Sequence, residues 1–264
     1  MSGLLKEEMS GQGPGPKTRM MIRVLRPIPA ESLKLLVFDL DGTLIDPTQD
    51  LSNSVNAALL HFGRKPLPEE IIAGFVGNGA PMLMRRALAA ASGVPVEQVS
   101  EDLLAPFYEY FLDYYLRHEL DHTCLFAGVY EALLRLHKGP SGASRTMAVL
   151  SNKPARPSRE ILEGLGIASH FQRIYGGDTF SVTKPDPMGL LLLMKETGAR
   201  PEETVMIGDS KADVLTARNA GAWSLGCAFG FGPQNLMDVP PDIVVNSAEA
   251  WPAVLAATRN GLAH

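Results

Sequence analysis

The sequence predicts an α/β protein, a parallel sheet covered by helices on both faces, with an all-helical segment inserted after the first strand. Three observations carry this reading. Five short apolar runs punctuate the 264-residue chain: LKLLVFD (33–39), RTMAVLSN (145–152), FQRIYGGD (171–178), TVMIGDS (204–210) and AWSLGCA (222–228). Several are continuous rather than alternating, as strands buried on both faces require. From the second run onward they alternate with helical patterns, PARPSREILEGLG, PDPMGLLLLMKETG and SKADVLTARNAG, each with Pro, Asp or Ser near its start and Gly at its end. That rhythm makes βαβ units. Finally, about a hundred residues separate the first run from the second, too many for a single crossover.

Taken in order, residues 1–30 contain the linker-like GQGPGP and no apolar signal-peptide core, which predicts a flexible tail. The first strand follows. Residues 47–123 then form the expected insertion, leaving 31–46 and 124–264 as the α/β core. Within it Leu51, Val55, Leu59 and Phe62 share one helical face, and Pro81 opens a second helix that stops near Gly93. A third, aromatic-rich pattern runs from Val99 to Arg117, and Pro106 inside it predicts a kink or restart. FYEYFLDYY (107–115) has helical spacing, which makes it a packing face. GVYEALLRLHK (128–138) returns the chain to the sheet, and DIVVNS (242–247) adds a sixth strand at an edge.

Composition narrows the function. Hydrophobic residues make up 45% and charged residues 20%, with a net charge of −5, which speaks against nucleic acid as a partner. Cys124 and Cys227 are the only cysteines and lack CxxC spacing, so a reducing, cytoplasmic setting is expected. No apolar run is long enough to span a bilayer. HELDH (118–122) matches the HExxH zinc pattern, but Leu125 and Gly128 break its longer form and no third ligand is apparent; a solvated helix end is expected.

The strand ends carry the chemistry. In open parallel sheets active sites form beyond the carboxyl ends of the strands. There stand Asp39 and Asp41, then Ser151 with Asn152, then Asp209, while Lys184 lies in TKPDP and Asp213 one helical turn beyond Asp209. Four carboxylates converging on one lysine cannot all ionise without a further cation. An all-oxygen, sulfur-free set suits Mg²⁺. Period-two geometry turns Asp39 and Asp41 to one side, so one can attack while the other handles a proton. Gly42 permits a sharp turn, and Thr43 offers a hydroxyl and an amide to a phosphate oxygen.

In this order, D-L-D-G-T-L-I-D, S-N-K, K-P-D-P and G-D-S-K-A-D resemble the four motifs of the haloacid dehalogenase (HAD) superfamily. From about residue 33 to the end, the chain is similar to its phosphoglycolate phosphatase branch, whose Rossmann-like core carries a helical cap after the first motif. The resemblance implies that Asp39 is the nucleophile that becomes a phosphoaspartate. It implies that Asp41 protonates the leaving alkoxide and later activates water. Ser151 and Lys184 then hold the phosphoryl oxygens. Mg²⁺ is expected on the Asp39 carboxylate, the Asp41 carbonyl and Asp209, with Asp213 in support. One departure concerns the cap hinge: Asp46 is followed by Pro47-Thr48, where the family often has serine. Gly77, Asn78 and Gly79 lead into a helix N-terminus, where amides can face an anion. Arg86, or Arg85, is expected to pair with a substrate carboxylate. The activity expected is hydrolysis of a small anionic phosphomonoester by a monomer or homodimer, with 2-phosphoglycolate the foremost substrate. Nucleotides, sugar phosphates and pyrophosphate remain as alternatives, as does a receiver-like phospho-acceptor without turnover, against which Asp41 and the long insertion argue.

Overall fold

A computed structural model describes residues 21–77, 79–231 and 235–256. Among them run strands β1 (Ile22–Val24), β2 (Leu35–Phe38) and β3 (Ile45–Asp46), and then helices α1 (Thr48–His61), α2 (Glu69–Ala73), α3 (Ala80–Ser92) and α4 (Glu101–His118). β4 (Cys124–Leu125), α5 (Val129–Leu136), β5 (Thr146–Leu150), α6 (Ala155–Gly164), β6 (Arg173–Tyr175) and α7 (Met188–Thr197) follow. β7 (Thr204–Gly208), α8 (Lys211–Asn219), β8 (Trp223–Cys227), α9 (Asn235–Asp238), β9 (Ile243–Val245) and α10 (Trp251–Ala256) complete the order.

Seven strands form one sheet in the order β1-β9-β8-β7-β2-β5-β6, parallel except for β1. The continuous apolar runs are explained by burial on both faces. In β2, Leu36 and Phe38 enter one core with α5, α6 and α10, whereas Leu35 and Val37 enter the opposite core with α7 and α8. β5 and β7 alternate in the same way, Val149 and Ile207 to one side and Ala148 and Met206 to the other. Phe38 packs edge-on against Phe171, with ring centroids 5.9 Å apart. β2 lies between β5 and β7, in register at Phe38 with both Val149 and Ile207. The carboxyl ends of three adjacent strands thus open at one place, where the connections diverge to either side.

Helices α1 to α4 bury a core of their own, in which Val55, Leu59, Met84, Leu88, Phe107 and Phe111 are fully or almost fully enclosed. The chain enters and leaves this helical layer through β3 and β4, paired antiparallel at Ile45 with Leu125 and Asp46 with Cys124. α4 is one continuous helix through Pro106, so the chain does not restart there. Both Pro106 and Asp102, whose carbonyl loses its partner, are exposed, so water satisfies that group.

The expected tail is also corrected. Residues 1–20 lie outside the described residues, but 21–30 belong to the fold. β1 pairs with β9, Ile28 and Ala30 are buried, and Arg26 Nε donates to Asp242 Oδ1 at 2.6 Å.

Asp50, at the start of α1, is buried and ties the two ends of the helical layer together. Its Oδ2 accepts from the backbone N–H of His122 (2.9 Å) and of Thr123 (2.7 Å) and from the Thr123 hydroxyl (2.8 Å), while Oδ1 meets His122 Nδ1 at 2.9 Å. Burial pushes this carboxyl's pKa up, but these donors outweigh it and hold it below the usual value. The stability it contributes is therefore present above the unfolded-state pKa and lost as pH falls through the folded one. Asp50→Ala is expected to cost about 2–4 kcal/mol, because it strands buried donors. Urea unfolding at neutral pH measures this, and an unchanged midpoint would contradict the tie.

Candidate active site

The site is built where β2, β5 and β7 end. The β2 ladder continues one residue past the strand, Asp39 N–H donating to Ile207 O at 2.8 Å. The chain then turns at Gly42, whose φ is +81°. A Cβ there would stand 2.4 Å from Asp209 Oδ2, so only glycine lets the loop pass this close to the neighbouring carboxylate.

Asp39, Asp209 and Asp213 are buried and present oxygens within 4.8 Å of one another. Lys184 Nζ stands between two of them, 2.8 Å from Asp39 Oδ1 and 2.6 Å from Asp213 Oδ1. The other Asp213 oxygen accepts from the Ser210 N–H and hydroxyl at 3.0 and 2.6 Å, capping α8. Asp209 Oδ2 accepts from Phe231 N–H at 2.7 Å. Burial, then the nearby Asp213 charge, push the Asp39 carboxyl up to about 7 despite Lys184. Burial with Asp213 and Asp39 drives Asp209 well above its ordinary value. Burial disfavours the Lys184 ammonium, yet Asp213 and Asp39 more than restore it. The cluster is short of positive charge.

Above it lies a cavity of about 50 Å³ between the sheet ends and the helical layer. Asp39, Asp41, Ser151, Asn152 and Lys153 form its floor, and Leu51, Val76, Gly77, Gly79, Leu83 and Phe111 contribute to its roof and walls. Lys153 is buried and donates to both Asp41 oxygens at 3.2 Å. Its ammonium lies 4.7 Å from the centre of the Tyr115 ring, which α4 supplies.

Some expected residues play other parts, although Asn152 stays on the cavity floor. Asn152 is a clamp: its Nδ2 donates to Lys184 O at 3.2 Å and its Oδ1 accepts from Lys184 N at 3.0 Å, which fixes the lysine's backbone. The Thr43 amide is taken by Leu40 O at 3.2 Å, its hydroxyl is buried without a partner, and the residue does not line the cavity. Arg86 is corrected as well. It lies two helical turns from the α3 N-terminus, and its Nη1 donates to Phe75 O at 3.0 Å, bracing the loop before α3 rather than lining the cavity. Arg85 is held by Val99 O and Glu101. Gly77 does line the cavity; Asn78 lies outside the described residues.

Lys153 was not singled out by the sequence reading, although it follows Ser151-Asn152 directly at a strand end and supplies a second ammonium. The HExxH pattern holds no shared ligand point. α4 ends at His118, whose Nδ1 meets Asp121 Oδ2 at 2.8 Å, while His122 turns to Asp50. Among the described residues, no helix is long and apolar enough to cross a membrane.

Known proteins resemble this chain over most of its length. A phosphoglycolate phosphatase of Vibrio parahaemolyticus is 38% identical over 231 residues, covering 86% of this chain and 98% of the relative. One from Pseudomonas fluorescens is 38% identical over 220 residues, 83% of this chain and 78% of the relative. The crystal structure of a predicted phosphoglycolate phosphatase from Haemophilus somnus superposes with a TM-score of 0.75 at 29% identity, over 83% of this chain and 96% of that one. The model of the haloacid dehalogenase-like hydrolases matches residues 36–227. With its four motifs gathered at adjacent strand ends, the chain belongs to the haloacid dehalogenase-like hydrolase family, as one of its phosphatases.

Proposed function

We propose that the chain hydrolyses a small anionic phosphomonoester, 2-phosphoglycolate foremost, through a phosphoaspartate on Asp39. The observation that carries this reading is the paired arrangement at the β2 end. Lys184 grips Asp39, Lys153 grips Asp41, and both acids face one small cavity. The cavity between the sheet ends and the helical layer is small. That favours a small leaving group over a nucleotide. The names of the relatives point the same way.

Asp39 Oδ1 is engaged by the Leu40 N–H at 2.7 Å and by Lys184, and we assign the attack on phosphorus to Oδ2. As that bond forms, the ester P–O bond breaks and its electron pair leaves on the alkoxide, which takes a proton from Asp41. Water then attacks the acyl phosphate, Asp41 takes the water's proton, and phosphate leaves Asp39 free. Ser151 Oγ, at the cavity floor, and Lys184 orient the phosphoryl oxygens. The helical layer, acting as a cap, excludes bulk water.

The donors fit a divalent ion: three buried carboxylates supply oxygen only, and two of them are driven towards neutrality for want of positive charge. Asp39, Asp209 and the Asp41 carbonyl would hold Mg²⁺, with Asp213 behind them, and it would neutralise charge on the phosphoryl oxygens.

A panel of phosphomonoesters, run with Mg²⁺ and with EDTA, tests the reading. Turnover of 2-phosphoglycolate that EDTA abolishes is expected, and a panel without any turnover would refute it. Asp41→Asn is expected to slow the first step, formation of the phosphoaspartate read in the pre-steady-state phase, by about 10²–10⁴-fold for alkyl esters and much less for p-nitrophenyl phosphate, whose leaving group needs little protonation. Equal losses on both substrates would remove Asp41 from the acid's role.

A further inference from the structure

The cavity wall is unevenly charged. Among the described residues whose side chains line it, only Lys153 is cationic. Lys184 lies on Asp39 and Asp213 and does not line it, Arg85 is held by Val99 O and Glu101, and Arg86 braces Phe75 O. The wall beyond Asp41 is largely apolar, with Leu51, Val76, Leu83, Phe111 and Leu112. A carboxylate brought against such a wall is strongly disfavoured unless a donor meets it.

Lys153 is placed to be that donor. Its backbone is fixed at both ends, its N–H meeting Ser151 Oγ at 3.2 Å and its carbonyl accepting Gly177 N–H at 2.9 Å. Its ammonium shares itself between the two Asp41 oxygens at 3.2 Å each, longer than the about 2.7–2.9 Å of a strong charge-assisted bond. An ammonium has three N–H donors, so this loose contact leaves capacity for a second anion. The aromatic face of Tyr115 bounds a further side of the ammonium, and Lys153 and Tyr115 both line the cavity.

We propose that Lys153 is the specificity-determining cation: it receives a carboxylate on the leaving group, while Lys184 serves the phosphoryl side. The two ammonium groups divide the substrate's two anions between them. Because Tyr115 comes from the helical layer and Lys153 from the core, the pocket for the carboxylate is complete only with that layer seated on the sheet. This rests on the phosphatase reading above.

The test compares 2-phosphoglycolate with 2-hydroxyethyl phosphate, which has the same two-carbon chain but an uncharged alcohol, one oxygen fewer, for the carboxylate, on wild type, Lys153→Met and Lys153→Arg. Any loss through a looser Asp41 affects both esters and cancels in the ratio of their kcat/KM values. Wild type is expected to prefer the carboxylate ester. Lys153→Met is expected to shrink that preference by about 10–100-fold, chiefly through KM for 2-phosphoglycolate. Lys153→Arg, which keeps the charge, should retain most of it and stands in if the Met variant fails to fold. An unchanged ratio in a folded Met variant would show that Lys153 acts only on Asp41, and would overturn the proposal. So would a wild type with no preference for the carboxylate ester, whatever else it hydrolyses, and that result would leave the phosphatase reading standing. A wild type that hydrolyses no phosphomonoester overturns the phosphatase reading itself.

Discussion

Asp39→Asn is expected to lower turnover of every phosphomonoester by about 10⁴-fold or more and, in EDTA at neutral pH, to melt above wild type. The two effects share a cause. The nucleophile sits buried among Asp209 and Asp213 with Lys184 as their cation, and burial and like charge push its carboxyl up to about 7 from an ordinary 3.8. Between those values the folded protein holds a proton that the unfolded chain has released. Stability of the metal-free protein therefore falls as pH rises from about 4 to 7. An amide at position 39 removes that slope together with the attacking oxygen. Thermal melts across this range in EDTA, beside steady-state kinetics with Mg²⁺, measure both. A variant that kept a substantial fraction of the activity would displace Asp39 from the centre of the mechanism.

Lys184→Met carries the second large effect, and its sign on stability is opposite. The ammonium bridges Asp39 and Asp213, and its side chain is 3% exposed. Removing it leaves those carboxylates facing one another without a cation in a buried site. The expected cost is about 3–5 kcal/mol, read from denaturant midpoints in EDTA, with added Mg²⁺ recovering part of it. Turnover should fall by about 10³-fold even where the protein is held folded by the ion, because the phosphoryl oxygens lose a fixed positive partner. A stable, active methionine variant would mean that the three acids are not crowded.

Much of this site could be read from the chain. The continuous apolar runs mark the strands because burial on both faces leaves no polar alternation, and their polar ends mark the rim. Two-residue spacing put Asp39 and Asp41 on one cavity, and one helical turn brought Asp213 back to Asp209. The failures have physical reasons too. β1 is exposed at all three residues, so no apolar signal marks it. β3 and β4 have two residues each and exist only as partners of one another. Arg86 looked free for a substrate because sequence does not show that a carbonyl eleven residues earlier claims it. Asn152 lines the cavity, but sequence does not show that its amide also matches the backbone of Lys184 across 32 residues, a pairing only the fold creates. Asp50, which no motif marks, is buried and accepts four bonds. Lys153 could have been found by counting ammonium groups at the strand ends, since a second acid beside the nucleophile calls for a second cation.

Trapping the covalent intermediate tests the whole account most directly. Asp41→Asn, which can still be phosphorylated by p-nitrophenyl phosphate but lacks the base that activates water, should accumulate it. After acid quenching and digestion, mass spectrometry is expected to find one phosphoryl group on the peptide that contains Asp39. A burst of nitrophenolate with that peptide unmodified, or with the phosphoryl group on another residue, would contradict the central claim.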